Sequence, residues 1–200
     1  MRYKNYDLPS IKTRYGDYHF KSKLEARWAV FMDLLGVSYE YEKYQGIVSV
    51  NFFEYAYMPD FFLNDIELFL EIKPRKPVES ELNKAAAWAN DAGDVVFFYN
   101  LAPDNGIRMI GCENAIPIMD ADVWRWCECL RCLKVDITAY GVPRCGCFSD
   151  DEFDMMLLGK ILDIDFSQTP TILKAFSMAK KHDFKTNTKA RKLPRRASLL

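Results

Sequence analysis

The chain has 200 residues, half of them hydrophobic and 14% aromatic, so it can bury a substantial core and is not a disordered polypeptide. No apolar run approaches the roughly 20 residues that cross a bilayer, and the N-terminus has no signal-peptide pattern. We therefore expect a soluble, cytoplasmic protein without membrane association, whose six cysteines serve as thiols or metal ligands rather than disulfides.

The net charge of −1 conceals an uneven distribution. From Lys174 onward there are nine basic residues and one acid, a balance of +8, which leaves −9 for the rest of the chain. A basic tail on an acidic body can bring nucleic acid to a carboxylate-rich pocket, because cations bind the phosphate backbone. A solvated tail without a partner fits the same composition equally well.

The first part of the chain is expected to form one helix and several strands. Residues 1–20 show no clear period, whereas apolar residues recur at helical spacing between Ser22, a typical N-cap, and Gly36, a typical stop. Aromatic and charged residues alternate at 39–44, which predicts a strand with one solvated face. One or two further strands are expected within 47–63.

The next elements complete a predicted core. Residues 66–73 alternate apolar and polar side chains, and a helix is expected at 79–92, ended by Gly93. Strands are predicted at 94–99 and 107–110. A strand meander followed by a helical crossover indicates an α/β (α+β) domain, in which helices cover a mixed sheet.

The pattern changes beyond residue 111, and residues 112–148 are expected to be loop-like and rich in cysteine. Two short helices are predicted at about 150–162 and 170–182, the second with Thr169 as its cap and Pro170 in its first position. The predicted segments are a core at 1–111, a cysteine-rich module at 112–148, C-terminal helices at 149–184 and a basic tail at 185–200.

Three residues form the strongest candidate for a catalytic site. Asp60 ends one strand, and Glu71 and Lys73 share one face of the next, because side chains two apart along a strand point the same way. If the two strands pair across the Asn64-Asp65 turn, the carboxylates converge. A Mg²⁺ or Mn²⁺ ion would relieve their repulsion and activate a water molecule, which Lys73 could orient or deprotonate.

Each part of this pattern is common by itself. A Glu-x-Lys triplet occurs by chance in many chains of this length and can be an ion pair on a solvated strand. Pro-Asp is also frequent at turns. The combination of Pro-Asp, Glu-x-Lys and a helix on either side is what indicates phosphodiester hydrolysis.

Two segments resemble the PD-(D/E)xK nuclease superfamily, namely Tyr57-Met58-Pro59-Asp60-Phe61 and Phe69-Leu70-Glu71-Ile72-Lys73. The resemblance covers roughly residues 20–111 and implies a restriction-endonuclease-like α-β-β-β-α-β core. It also implies a metal ion bound by Asp60, Glu71 and the Ile72 backbone carbonyl, with Lys73 beside the water. The start of the first helix and the following tyrosine-rich strand look like phage-associated members, which implies a phage-encoded protein in a bacterial host.

Many members of that superfamily take a further acid from the first helix, and Glu25 occupies that place here. Glu25 also fits a helix cap, because Ser22-x-x-Glu25 is a capping box in which the carboxylate accepts a hydrogen bond from the Ser22 N–H. Lys84 and Trp88 on the second helix could face the same cleft, although Trp88 fits the core as well.

Four cysteines predict a structural Zn²⁺ site. Cys129 and Cys132 form a C-x2-C knuckle, and Cys145 and Cys147 follow after twelve intervening residues. Two pairs of thiolates on short turns suit the tetrahedral coordination of Zn²⁺. Such a module would have a structural or docking role, because four protein ligands leave no open position for catalysis.

Other interpretations of the cysteines remain open. Cys127 could replace one ligand, and Cys112 is a further candidate. The alternatives are buried free thiols or a redox pair, although no thioredoxin-like strand precedes the C-x2-C motif. The basic residues nearby could contact phosphates or form a solvated face, and they are Arg125, Arg131, Lys134 and Arg144.

These observations predict a metal-dependent nuclease that hydrolyses phosphodiester bonds, with DNA as the expected substrate. The alternative is a non-catalytic module that keeps the nuclease fold and holds nucleic acid or a host protein through the zinc module or the basic tail. The two histidines, His19 and His182, are too few to support a histidine-based metal or triad site. A two-fold dimer would suit cleavage of paired strands, although no pattern in the sequence demonstrates one.

Overall fold

The computed structural model describes residues 10–99, 107–110, 124–139, 142–149, 151–152, 165–186 and 188–194. These residues form an α+β fold with a mixed sheet, three α-helices and a cluster of cysteines. No helix within these ranges is long and apolar enough to cross a membrane. In chain order the strands and helices are β1 (Thr13–Tyr15), β2 (Tyr18–Phe20), α1 (Lys23–Leu35), β3 (Tyr39–Tyr41), β4 (Gly46–Val50), β5 (Phe53–Tyr57), β6 (Phe61–Leu63), β7 (Leu68–Lys73), α2 (Glu79–Ala92), β8 (Val95–Tyr99), β9 (Ile107–Ile110), β10 (Trp124–Glu128), β11 (Val135–Ala139) and α3 (Pro170–Lys181).

The central sheet has five strands in the order β3-β6-β7-β8-β9. Strands β3, β6 and β7 form an antiparallel meander, α2 then crosses over, and β8 lies parallel to β7. Strand β9 pairs antiparallel with β8 at the edge. The pairing of β6 with β7 across the turn at 64–67 confirms the expected strand pairing. The expected position of Asp60 is corrected, because it lies directly before β6 and does not end a strand.

Helix ends are fixed by the residues that the sequence indicates. The Ser22 hydroxyl accepts a hydrogen bond from the Glu25 N–H at 3.1 Å, and Gly36, with φ at 62°, ends α1 in the left-handed region. The Thr169 hydroxyl accepts from the Ile172 N–H at 3.3 Å and caps α3. These predictions are confirmed, because each cap satisfies a backbone group that a helix end leaves unpaired.

Strand β7 separates two apolar layers. Leu70 and Ile72 pack in the layer that contains α1 and α3, as the alternation predicts. Phe69 points the other way, into the layer that contains α2 and the hairpin β4–β5. Because side chains alternate along a strand, Glu71 and Lys73 lie on the α2 side of the sheet.

Several expectations about the strands are corrected. The segment 1–20 contains the hairpin β1–β2, whose three-residue strands are too short to display a period. The stretch 47–63 forms three strands, because a tight turn at 51–52 folds β4 back onto β5. The stretch 112–148 includes the antiparallel hairpin β10–β11 and is not wholly loop-like. The helix expected at 150–162 lies almost entirely outside the described residues.

One hydrophobic cluster joins the sheet, α1, α3 and the hairpin β10–β11. Phe31 of α1 stacks on Phe176 of α3 with ring centroids 4.3 Å apart, and it meets the Trp126 ring of β10 at 5.2 Å. Elements on both sides of the predicted division between residues 111 and 112 therefore contribute to this one cluster.

Residues 188–194 of the basic tail run against α1 and β1. The Leu193 N–H donates a hydrogen bond to the Leu34 carbonyl at 2.8 Å, and the Leu193 side chain is buried. Nearer the start of this stretch, the Ala190 N–H donates to the Tyr15 hydroxyl at 2.7 Å. The described part of the tail is therefore a docked segment.

Trp126 is fully buried, and its Nε1–H has no hydrogen-bond partner among the described residues. We expect Trp126→Ala to lower the free energy of unfolding by about 3–5 kcal/mol, because a cavity adds to the lost transfer free energy. Trp126→Phe should cost much less, since it keeps an aromatic ring and removes an unpaired donor. Chemical denaturation measures both, and equal losses for the two variants would contradict this account.

Candidate functional site

A pocket of about 340 Å³ opens where the end of β5, the residues before β6 and the second half of β7 meet α2. It brings together all four side chains that the sequence suggests for catalysis, namely Glu25, Asp60, Glu71 and Lys73. The pocket lies at the ends of several elements, so residues far apart in the chain converge there.

The Asp60 carboxylate is turned toward the backbone of β7. Its Oδ2 accepts a hydrogen bond from the Ile72 N–H at 2.7 Å. The N–H and C=O of one residue in a β-strand point toward the same side, so we expect the Ile72 carbonyl to face the Asp60 side as well. Ile72 also lines the pocket, which places its backbone beside the carboxylate.

Glu71 and Lys73 form an ion pair on one face of β7, as their spacing predicts. Glu71 Oε2 lies 3.0 Å from Lys73 Nζ, and the side-chain exposures are 5% and 26%. Coulomb attraction is strong there because little water screens the two groups. Tyr57 lies beside this pair. Burial, and to a smaller extent the charge of Glu71, raises the pKa of the Tyr57 phenol far above the usual range.

The pocket carries more negative than positive charge. Burial and the charge of Glu71 raise the pKa of Asp60 well above its ordinary value, and the charge of Lys73 offsets only part of that rise. Burial alone would lower the pKa of Lys73, but the charges of Glu71 and Asp60 outweigh it and raise that pKa. Two carboxylates therefore share one ammonium group, an arrangement that favours a further cation.

Glu25 lines the same pocket, but three donors hold its carboxylate. They are the Lys21 N–H at 3.1 Å, the Ser22 hydroxyl at 2.6 Å and the Tyr41 hydroxyl at 2.5 Å. The backbone donor is thus the Lys21 N–H, whereas the capping box predicts the Ser22 N–H. Glu25 completes the cap of α1, and its charge also contributes to the raised pKa of Asp60.

Three polar residues that were not candidates from the sequence also line the pocket, namely Lys21, Tyr57 and Glu81. Lys84 faces the pocket as expected, whereas Trp88 packs in the core beside α2. A weak signal exists for Glu81, since it lies three residues before Lys84 and hence on the same face of α2.

The four cysteines of the predicted zinc site lie together. Their sulfur atoms are all within 4.8 Å of one another, and the residues are Cys129, Cys132, Cys145 and Cys147. Thiolates about 2.3 Å from a tetrahedral Zn²⁺ ion are about 3.8 Å apart, so this cluster could hold a metal such as zinc. In the described ranges, no other set of three or more metal-ligating side chains has its ligand atoms so close to one another. The carboxylate oxygens of the pocket are therefore farther apart than the four sulfur atoms.

The C-x2-C knuckle is the turn of the hairpin β10–β11. The Cys129 N–H donates to the Lys134 carbonyl at 2.9 Å, and the Leu133 N–H donates to the Cys129 carbonyl at 2.8 Å. Burial raises the pKa of Cys132, but the backbone N–H of Lys134 and the neighbouring thiols outweigh it, so that pKa is lowered. The turn therefore favours the thiolate at Cys132. Burial raises the pKa of Cys145, and the side-chain contact with Cys132 raises the pKa of Cys147, so a metal ion would have to displace protons from these two thiols.

Cys127 is not part of this cluster. It is fully buried in β10, and its sulfur lies 3.6 Å from both the Asp136 carbonyl and the Thr138 hydroxyl. Burial raises the pKa of its thiol to about 12, and its sulfur is not among the four that lie within 4.8 Å of one another. Cys112 lies outside the described residues.

Three of the four basic residues around the cysteines form ion pairs within the chain. The pairs are Arg125–Asp165 at 3.7 Å, Arg131–Glu152 at 3.0 Å and Arg144–Asp136 at 2.9 Å. Arginines held by carboxylates are less available to phosphates, so this face favours a structural role over a phosphate-binding one.

A scan against protein-family models gave no match to this chain. Searches of curated proteins and of solved structures gave no match either.

Proposed function

We propose that this protein is a metal-dependent nuclease that hydrolyses phosphodiester bonds, with DNA as its expected substrate. The observation that carries the proposal is the meeting of Asp60, Glu71 and Lys73 in one pocket. Burying a surplus of negative charge costs folding free energy, so such a cluster is typical of sites that use a cation.

The order of elements supports a restriction-endonuclease-like core. Helix α1, the meander β3-β6-β7, the crossover helix α2 and the strand β8 follow the α-β-β-β-α-β order that the PD-(D/E)xK resemblance implies. The hairpin β4–β5 is an insertion between the first and second strands of that order. Asp60 lies directly before the second strand of this meander, and Glu71 and Lys73 lie on the third.

The donor groups of the pocket suit Mg²⁺ or Mn²⁺. The carboxylates of Asp60 and Glu71 and the carbonyl of Ile72 would hold the ion, because these metals prefer oxygen ligands. The raised pKa of Asp60 fits a carboxyl whose proton is displaced by a cation. When bound, such an ion stabilises charge on the phosphoryl oxygens and acidifies a water molecule.

Lys73 acts in this site as a donor and not as a base. Its pKa is raised, so Nζ stays protonated at neutral pH. Held 3.0 Å from Glu71 Oε2, the ammonium can orient the attacking water or stabilise negative charge that develops on the phosphate. Lys84 on the pocket wall is placed to contact a neighbouring phosphate.

We also propose that the cysteine cluster holds a structural Zn²⁺ ion. Four thiolates fill a tetrahedral coordination shell, which leaves no position for substrate or water. The ion would fix the turn of the hairpin β10–β11, whose Trp126 enters the main hydrophobic cluster. The zinc site therefore supports the fold that carries the pocket.

Cleavage of a panel of duplex, single-stranded, flapped and four-way DNA, together with RNA, tests the nuclease proposal. We expect wild type to hydrolyse at least one member with Mg²⁺ or Mn²⁺ and none in buffer freed of divalent ions. Glu71→Ala should cleave none, while Glu54→Ala, which removes an exposed carboxylate of β5 outside the pocket, should match wild type.

Binding of the panel by both wild type and Glu71→Ala, with cleavage by neither, would contradict the proposal. That result would favour a non-catalytic module that holds nucleic acid. Equal cleavage by wild type and Glu71→Ala would instead show that the hydrolytic site lies elsewhere.

A further inference from the structure

The hairpin β4–β5 exposes an unusual number of large apolar side chains. Among the described residues, nine large hydrophobic side chains are exposed, and five of them lie between Tyr44 and Tyr55. Phe52 is fully exposed, Phe53 is 67% exposed and Ile47 is 64% exposed. Apolar side chains gathered in this way on one element mark a contact surface.

The tip of the hairpin holds an aromatic ring outward at a conformational cost. The two turn residues, Asn51 and Phe52, have φ values of 49° and 68°, both in the left-handed region. Two-residue turns of this kind strongly favour glycine at the second position, and a bulky residue is an outlier there. The Phe52 side chain is fully exposed, so no burial offsets the cost of this backbone conformation.

The base of the hairpin is fixed, and it leads straight into the carboxylate pocket. Val48 and Tyr57 are buried against α2, where the Tyr57 and Trp88 rings lie 5.5 Å apart. Tyr57 also lines the pocket that contains Asp60. A strand rises about 3.4 Å per residue, so the tip stands about 17 Å from Tyr57, a distance of several nucleotides.

We propose that the hairpin β4–β5 is a stacking platform for unpaired nucleobases, which holds a single-stranded part of the substrate beside the pocket. This inference rests on the proposed nuclease function. Proteins that bind single strands combine aromatic rings, on which bases stack, with cations that bind phosphates. Phe52 and Phe53 supply the rings, and Lys84, which has no carboxylate partner among the described residues, supplies a free cation on the pocket wall.

The hairpin has no basic side chain that would bind anionic lipids and only one acid that could bind a basic protein, so its composition favours stacked bases over a membrane or a basic protein. Its strands and turn carry a single charged residue, Glu54, which is paired across the ladder with Ser49 and so lies on the face opposite Tyr55. The face that carries Phe53 and Tyr55 is therefore aromatic and uncharged, as a surface for stacked bases requires.

Binding of a short single strand that contains 2-aminopurine, and of the blunt duplex of the same sequence, tests the inference in buffer freed of divalent ions. Wild type should quench 2-aminopurine in the single strand. The double variant Phe52→Ala/Phe53→Ala should bind the single strand about tenfold more weakly and the duplex unchanged. Phe52→Trp should keep the quenching, because it keeps an aromatic face.

The matched control is Leu173→Ala/Met178→Ala, which removes two exposed apolar side chains of α3 and should bind both probes like wild type. Equal single-strand binding by the phenylalanine variant and wild type would overturn the inference, as would equal weakening for both probes. A variant that loses only self-association would show that the surface joins two copies of this chain. Cleavage by wild type together with equal single-strand binding by the phenylalanine variant would overturn only the stacking inference. Base stacking without cleavage of any substrate would contradict the nuclease proposal.

Discussion

Replacement of Asp60 by asparagine is expected to slow hydrolysis severely and, in the absence of divalent ions, to raise the thermal stability of the protein. The rate should fall by on the order of 10³-fold, comparable with loss of one main electrostatic contact in other active sites. The stability should rise because the substitution removes a charge that the fold holds at a cost. Loss of activity together with gain of stability is typical of residues kept for function.

The sign of the stability change follows from the pKa of Asp60. Burial and the charge of Glu71 raise that pKa above its value in the unfolded chain, so ionisation is less favourable in the folded state. The folded protein therefore loses stability as the pH rises from the ordinary aspartate value through the raised one. Asparagine cannot ionise, and its side-chain carbonyl can still accept the hydrogen bond from the Ile72 N–H.

Thermal unfolding of wild type and Asp60→Asn at several pH values measures this difference. The gap between the two melting temperatures should be small near pH 4 and widen toward neutral pH. Added Mg²⁺ should stabilise wild type and leave Asp60→Asn unchanged, because only the intact site binds the ion. An Asp60→Asn protein that is less stable than wild type at neutral pH without metal would refute the electrostatic account. Buffers should be stripped of Mg²⁺ by resin, since a strong chelator would also attack the cysteine site.

The sequence predicts the helices and the long strand well because their signals are local. Ser22 and Gly36 cap α1 through bonds to residues only a few positions away. The alternation of β7 reflects one face that packs under α1 and one that carries Glu71 and Lys73. Such patterns need no knowledge of distant partners, so the candidate residues of the pocket could be named from the sequence.

The hairpin β10–β11 is missed because two acids of its strands are buried and are paired with side chains outside the hairpin. Glu128 and Asp136 are buried, which breaks the apolar alternation expected of a strand in a core. Glu128 accepts a hydrogen bond from the Thr169 hydroxyl at 2.9 Å, and Arg144 donates two side-chain hydrogen bonds to Asp136. Buried acids are tolerated once they are paired, but the sequence does not reveal a partner that lies 41 residues away.

The pocket shows the same limit. Spacing along β7 places Glu71 beside Lys73, but the contact between Asp60 and the Ile72 N–H depends on how β6 meets β7. The three donors around Glu25 come from two separate segments, since Lys21 precedes α1 and Tyr41 belongs to β3. The sequence thus predicts which side chains meet in the pocket, but not the hydrogen bonds that orient them.

Loss of the cysteine-bound metal is expected to have the largest effect on stability. We predict that Cys145→Ser, or removal of zinc by a strong chelator, lowers the free energy of unfolding by several kcal/mol, because binding of a structural Zn²⁺ ion contributes directly to folding. Zinc content should fall from one ion per chain to well below one. The damage should extend beyond the turn, since the hairpin β10–β11 shares the hydrophobic cluster of α1 and α3.

Cys127→Ala is the matched control for this experiment. Cys127 is a buried cysteine of the same hairpin, but its sulfur contacts Asp136 and Thr138 and lies outside the cluster. The variant should keep one zinc ion per chain and lose only about 1 kcal/mol, as small core truncations do. Metal analysis combined with chemical denaturation separates the two variants. Zinc retained by Cys145→Ser, or lost by Cys127→Ala, would show that the ligand set is wrong, and unchanged stability of the zinc-free protein would show that the metal does not support the fold.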